Sequence, residues 1–269
     1  MKICLLILTL FSCRVSAAQD SISFIKERVI LGSLADMEAD LLGNTYLFSD
    51  KNQLKKRNIN GDSMGVFNDV RRYGKLYTMD VSNPLKCILY YKNFATILIL
   101  DRFLQPVNTI DLRRQSIFQV KAVAQSYDNK IWVYDEQNQQ LKKINDDGQV
   151  LLSTPDLRMA FDEVPSPEKI VDQDGFVYLN DPEKGIYVFD IYGTFKTKLS
   201  YIGLRNFSVI GKTIAGVING QLVSYTMGSF QEKRWNLPPG EQALKYVIQS
   251  DRLFVLKKDS LEIYKVKMQ

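Results

Sequence analysis

The chain alternates short apolar runs rich in Val, Ile, Tyr and Phe with turns built from Asn, Asp and Gly. Apolar runs of that length and composition, broken by such turns, predict strands. No segment carries the i, i+3, i+4 stripe of an amphipathic helix over any length. The stretch DGFVYLNDPEKGIYVFDIYG, residues 174–193, shows the pattern in miniature: a strand, a polar turn, a second strand and a second turn.

That stretch is one copy of a repeat. With Tyr178 of GFVYLND as an anchor, Tyr46, Leu89, Trp132, Ala215 and Phe254 stand at the equivalent place in GNTYLFSD, KCILYYK, NKIWVYD, KTIAGVI and DRLFVLK. The steps along the chain are 43, 43, 46, 37 and 39 residues. A second strand follows each anchor, in QLKKRNI, ATILIL, QLKKIND, GIYVFD, GQLVSY and SLEIYK. A further apolar strand precedes it, in MEADLL, KAVAQS, KIVDQD, FSVIG and KYVIQS. Each unit thus holds about four strands in roughly 40 residues, the size of a propeller blade. A four-stranded blade cannot bury both faces alone, and stacking blades in a ring buries them against neighbours. The expected fold is all-β, a β-propeller of six four-stranded blades, with seven blades or an open sheet as the alternatives. The last unit lacks an outermost strand. Residues 23–33 supply one, so the N- and C-terminal strands are expected to pair and close the ring, removing an open edge.

The first residues read differently. Lys2, the apolar run of residues 3–13 and the small residues of VSAAQD have the form of a secretory signal peptide, residues 1–18, cut after Ala17 or Ala18. The apolar run is too short to span a bilayer, which takes about 20 residues. The rival reading is a lipoprotein signal with a lipid anchor at Cys13, which Phe11 and Arg14 fit poorly. Residues 19–269 then form a single propeller domain. With Cys4 and Cys13 in the leader, only Cys87 remains, in an apolar strand, and no internal disulfide forms. A secreted animal protein of this size usually carries some, so the expectation is a bacterial protein, periplasmic or on the cell surface.

Composition removes whole classes of chemistry. The chain has no histidine, which excludes Ser-His-Asp and Cys-His catalysis, histidine metal sites and histidine general bases. No cofactor motif is present and no cofactor is expected. Less Lys2 and Arg14, the 35 basic residues become 33 against 30 acidic ones, a net charge of +3. That is too mild to indicate nucleic acid.

Asp174-Gly175-Phe176-Val177-Tyr178-Leu179-Asn180-Asp181, followed by Ile186-Tyr187-Val188-Phe189-Asp190, resembles the repeat of six-bladed propellers of the NHL and gluconolactonase-like groups, as does the unit at 128–148. The other four copies are degenerate. The resemblance spans residues 19–269 at superfamily level. It implies a propeller and, on the gluconolactonase side, a calcium-dependent lactonase or sugar-acid hydrolase with calcium held at the ring centre. The inner strands offer Glu38, Asp40, Asp80, Asp172 and Asn206 for such a set, with no recognisable motif around them. Propeller enzymes that rely on histidine, such as quinone-dependent sugar dehydrogenases and streptogramin lyases, are similar in architecture only.

Four further sets of residues have a sharp and a plain reading. Asp135, Asp181 and Ser49 follow their anchors by three residues, and turn bonding explains them better than calcium. Repeated aromatics such as Tyr46, Trp132 and Tyr178 are interblade packing before they are sugar platforms. The links between blades carry Arg72, Arg113, Arg158 and Arg205, which either form a positive ring for an acidic partner or pair with nearby acids such as Asp111 and Asp156. The longest link, residues 153–169, adds Met159 and Phe161, an interaction tip or the loop's own small core. The function expected from these residues is a non-catalytic binding or scaffold module, monomeric, for a protein or acidic glycan in the cell envelope.

Overall fold

The computed structural model describes residues 22–68, 70–229, 231–238 and 243–268. The expected signal peptide and Cys13 lie outside them. The chain forms six blades of four antiparallel strands each, with few helices.

The first strand, β1 (Ile22–Leu31), belongs to the last blade. Blade 1 is β2 (Leu34–Ala39), β3 (Thr45–Ser49), β4 (Leu54–Arg57) and β5 (Ser63–Phe67). A short helix, α1 (Val70–Tyr73), leads to blade 2: β6 (Thr78–Asn83), β7 (Lys86–Tyr91), β8 (Thr96–Asp101) and β9 (Pro106–Asp111). Blade 3 is β10 (Val120–Gln125), β11 (Ile131–Asp135), β12 (Gln140–Ile144) and β13 (Val150–Ser153). Blade 4 is β14 (Lys169–Gln173), β15 (Phe176–Asp181), β16 (Gly185–Asp190) and β17 (Phe195–Leu199). Blade 5 is β18 (Arg205–Ile210), β19 (Thr213–Ile218), β20 (Gln221–Thr226) and β21 (Gln231–Asn236). Blade 6 is β22 (Lys245–Gln249), β23 (Arg252–Leu256) and β24 (Ser260–Met268), completed by β1, which pairs with β24 from Ile22 opposite Met268 to Leu31 opposite Ser260. The expected closure of the ring by the two terminal strands is what the chain adopts.

All six anchors fall on the second strand of their blades, and the largest are wholly buried: Trp132, Tyr46, Tyr178 and Phe254 are at most 1% exposed. The core is a series of interblade layers rather than one mass. One layer joins Tyr46, Phe48 and Leu54 of blade 1 to Met79, Leu89 and Leu98 of blade 2, and each following interface repeats the arrangement. In two blades a lysine from the third strand lies over the anchor ring. Lys56 Nζ is 4.8 Å from the Tyr46 centroid, and Lys143 Nζ is 4.6 Å from that of Trp132. Both come from the sequence QLKK, whose register sets the second lysine opposite the anchor.

This topology gives the ring two unlike faces. Turns from first to second and from third to fourth strand lie on one face, called here the hairpin face. Crossings from each outermost strand to the next innermost strand lie on the other, the crossing face. The innermost strands β2, β6, β10, β14, β18 and β22 ring a central channel, with one backbone edge unpaired toward it.

Candidate functional site

The channel encloses a cavity of about 470 Å³ lined from all six innermost strands, with Glu38, Asp80, Val123, Lys169, Asp172, Arg205, Asn206 and Lys245 in its wall. Polar side chains of one blade satisfy the open backbone edge of the next. Asp80 Oδ2 accepts from Gln125 N at 3.0 Å, Asn206 Oδ1 from Tyr246 N at 3.0 Å, and Asn180 Nδ2 donates to Leu204 O at 3.1 Å. Asn206 does so from a left-handed backbone, φ 54°, at a bulge in β18, a conformation that asparagine tolerates.

Charge in the channel is paired across blades. Lys245 Nζ donates to Glu38 Oε1 at 2.9 Å and to Asp36 Oδ1 at 2.7 Å. Lys169 Nζ approaches Glu38 Oε1 from the opposite blade at 3.6 Å. Burial opposes the charge on Glu38, but Lys169 and Lys245 override it and hold its carboxyl below the usual range. Asp80 is pushed up, because burial outweighs its hydrogen bonds from Ser82 and Gln125. Asp172 Oδ2 accepts from Ser126 Oγ at 2.7 Å and from Trp132 Nε1 at 2.8 Å, both from blade 3.

The calcium set suggested by the resemblance does not assemble here. Glu38 is held by two lysine ammoniums, the opposite of what a cation needs. Asp40 does not line the channel. It is buried and accepts from Leu42 N, Asn44 N, Asn44 Nδ2 and Tyr46 OH, closing its own turn. Among the described residues no group of three or more carboxylates and thiols is placed to hold a metal. Cys87 is buried, and burial raises its thiol far above the ordinary range.

Turn bonding also accounts for Ser49, Asp135 and Asp181. Ser49 Oγ accepts from Gln53 N, Asp135 from Asn138 N and Nδ2, and Asp181 from Glu183 N and Lys184 N.

All four arginines of interest lie on the crossing face, three of them with an acid. Arg113 Nε and Nη2 grip Asp111 at 2.8 and 2.9 Å. Arg158 holds Asp156 in the same fork, with Nη2 at 2.6 Å. Arg205 meets Glu168 at 3.2 Å, and Arg72 lies over its neighbour Tyr73, 5.5 Å from the ring centroid. The apolar pair of the longest crossing divides. Phe161 packs edge-on against Tyr187, Phe189 and Phe195, so it belongs to the loop's own core, while Met159 stands free, 87% exposed.

Two features escape a reading of the sequence that counts motifs. Lys169 and Lys245 enter the channel as first residues of inner strands, a register visible once the repeats are aligned. Among the described residues each crossing also presents an exposed large apolar side chain, Leu31, Tyr77, Phe118, Met159, Ile202 or Leu244, all but Met159 within three residues of the next inner strand. Their exposures run from 44% to 87%.

No protein-family model matches the chain, and no curated protein matches it. Solved structures do match over nearly its whole length. The WD40 domain of Neurospora crassa Pan2 is similar with a TM-score of 0.65 and 9% identity, covering 92% of this chain and 95% of that one. A streptogramin B lyase gives 0.60 and 11%, covering 93% and 98%. BamB from Moraxella catarrhalis gives 0.50 and 14%, covering 92% of each. At such identities the likeness is one of architecture alone, the β-propeller. The narrower resemblance to the NHL and gluconolactonase-like groups rests on the repeat motif alone.

Proposed function

We propose that this protein is an exported, non-catalytic propeller of the bacterial cell envelope that binds a protein partner on its crossing face. The observation that carries the reading is the ring of Leu31, Tyr77, Phe118, Met159, Ile202 and Leu244, one exposed apolar side chain at each of the six crossings. Single exposed apolar residues are ordinary on any surface. Recurrence at every crossing, in five of the six within three residues of the next inner strand, is not, and it sets apolar contacts around one face of a rigid scaffold. Arg72, Arg113, Arg158 and Arg205 lie among them, so the face combines apolar anchors with forked charge, the mixture found in protein interfaces. Among the described residues the hairpin face has exposed apolar side chains too, such as Leu85, Tyr127 and Tyr192, over blades 1 to 4. Export rests on the leader-like first 18 residues, and the bacterial setting on the lack of a possible disulfide in the mature chain.

The test is cross-linked capture from envelope extracts with three baits. One is the wild type, one has Leu31, Phe118, Met159, Ile202 and Leu244 changed to serine, and one has Leu85, Tyr127 and Tyr192 so changed. A partner held by the first and third and lost by the second is the expected result. A partner lost only with the hairpin-face variant would move the binding surface to the other side.

A further inference from the structure

The channel has a polarity along its axis that face docking does not use. Lys169, Arg205 and Lys245 are the first residues of the inner strands of blades 4, 5 and 6. Each is opposite the residue two beyond its anchor, namely Asn180, Val217 and Leu256, so the three cations stand at one level at the crossing end. Asp80 and Asp172 are opposite the residue just before their anchors, Ile88 and Val177, at the hairpin end. Three residues of extended strand separate the two levels on blade 4, about 10 Å at the usual rise per residue.

Neither end is closed off by its pairing. Among the described residues no ion pair reaches Asp80 or Asp172, and both are held from behind by donors on their own strand or on blade 3. Arg205 meets Glu168 as a surface pair whose side chains are 62% and 52% exposed, the kind that exchanges partners readily. Lys169 is 3.6 Å from Glu38, beyond hydrogen-bond length.

The channel wall also has unmatched acceptors. Asn180 is only 2% exposed and lines the cavity. Its Nδ2 donates to Leu204 O, while its Oδ1 is buried without a hydrogen-bond partner. Asp172 Oδ1 and Ser208 Oγ, in the same wall, are likewise buried and unpartnered. Buried acceptors are nearly always matched, so unmatched ones in a cavity wall mark where a ligand's N–H groups fit. A volume of about 470 Å³ lies in the range of small-molecule sites.

We propose that the channel binds a short zwitterionic peptide, with its carboxylate at Arg205 and Lys169 and its ammonium at Asp80 and Asp172. The wall combines the acids Glu38, Asp80, Glu168 and Asp172 with the bases Lys169, Arg205 and Lys245. A simple anion or cation meets repulsion at one end. Opposite charges about 10 Å apart, the span of an extended tripeptide, meet their complement at both. Of the unmatched oxygens, Ser208 Oγ lies at the anchor level between them, with Asn180 Oδ1 at the cation level and Asp172 Oδ1 at the acid level. This goes beyond the face-docking reading and stands without it: of the residues changed in the crossing-face variant only Leu244 lines the channel, and none of the charged residues that would hold the peptide is altered.

The probes are triglycine, N-acetyltriglycine and triglycine amide, titrated into the mature protein by calorimetry. Triglycine is expected to bind at least about tenfold more tightly than either blocked form. Arg205→Gln, at an exposed position that leaves the fold intact, abolishes the preference over the amide and keeps the preference over the acetyl form. Asp80→Asn does the reverse. No binding of triglycine up to roughly 10 mM, equal binding of all three peptides, or an unchanged pattern in Arg205→Gln each overturns the proposal.

Discussion

Glu38 Oε1 of blade 1 stands 3.6 Å from Lys169 Nζ of blade 4, the blade diametrically across the ring, and 2.9 Å from Lys245 Nζ of blade 6. One carboxylate therefore ties three of six blades together at the channel. The two partners are not equal. Lys245 is mostly buried and hydrogen-bonded, and Lys169 is more exposed and lies farther away.

That inequality sets the first prediction. Glu38→Gln leaves a buried ammonium short of a counter-charge and is expected to cost about 3 kcal/mol, the scale for breaking a buried pair. Lys169→Gln is expected to cost under about 1 kcal/mol, as a half-exposed pair does. Urea midpoints of the two variants at neutral pH decide it. Equal losses would mean that the link across the channel matters as much as the neighbouring one.

Blade 5 gives the second prediction. Its anchor is Ala215, followed by Gly216, and a Cβ on Gly216 would meet Leu204 Cδ1 at 2.7 Å and Arg205 O at 2.8 Å. The incoming crossing lies so close to β19 that a larger residue has no room. Gly216→Val is expected to destabilise by about 1–3 kcal/mol through overpacking. The same change at Gly220, where nothing approaches within 4 Å, meets no packing clash and serves as the control for its left-handed backbone. Melting curves of the two variants separate packing from backbone strain.

The same residues explain what was legible in the sequence. Spacing of the anchors and the repeat of polar turns were enough for the propeller, because each blade repeats one burial problem. Ring closure was legible because an unpaired last strand and a spare first strand answer each other. Blade 5 was the faintest copy since its anchor is Ala215, packed in the layer with Ile248 and Leu253 of blade 6 where the other blades' larger anchors carry the signal. The channel was hardest to read. Asp40 and Asp172 look alike in sequence, yet one closes its own turn and the other enters the cavity. Nothing local in EKIVDQ or LKYVIQ says that Lys169 and Lys245 converge on Glu38, since that convergence comes from closing the ring. The arginines were readable as a set, and the forks to Asp111 and Asp156, two residues before their partners, were readable as their local alternative.

Cys87 supplies the third prediction. It is 1% exposed within a strand, and burial raises its thiol far above the usual range. In the native mature protein it should not react with a thiol-specific disulfide reagent at pH 8, and should react fully in denaturant. Rapid native reaction would place the thiol within reach of solvent and contradict the packing of blade 2.

The seam that closes the ring gives the last prediction. Glu262 of β24 accepts from Lys26 Nζ of β1 at 2.8 Å and from Tyr264 OH at 2.5 Å, and Lys257 Nζ lies 3.1 Å away. Burial works against its charge, but these three groups override burial and hold its carboxyl down at about 2. A carboxylate whose folded value is depressed contributes stability that is fully present above its ordinary value, near 4.5, and is lost as pH falls toward 2. Glu38, depressed for a similar reason, adds to the loss in the same direction. Stability should therefore fall between about pH 4.5 and 2, with the β1–β24 pairing weakened as Glu262 protonates. Glu262→Gln mimics the protonated state. It should lower the melting temperature at pH 7 and flatten the acid dependence, because part of what protonation removes is already gone. Hydrogen exchange localises the effect: amides of β1 should lose protection in Glu262→Gln at pH 7 while those of blade 3 keep theirs. An acid profile as steep in the variant as in the wild type would show that the seam does not carry the pH dependence.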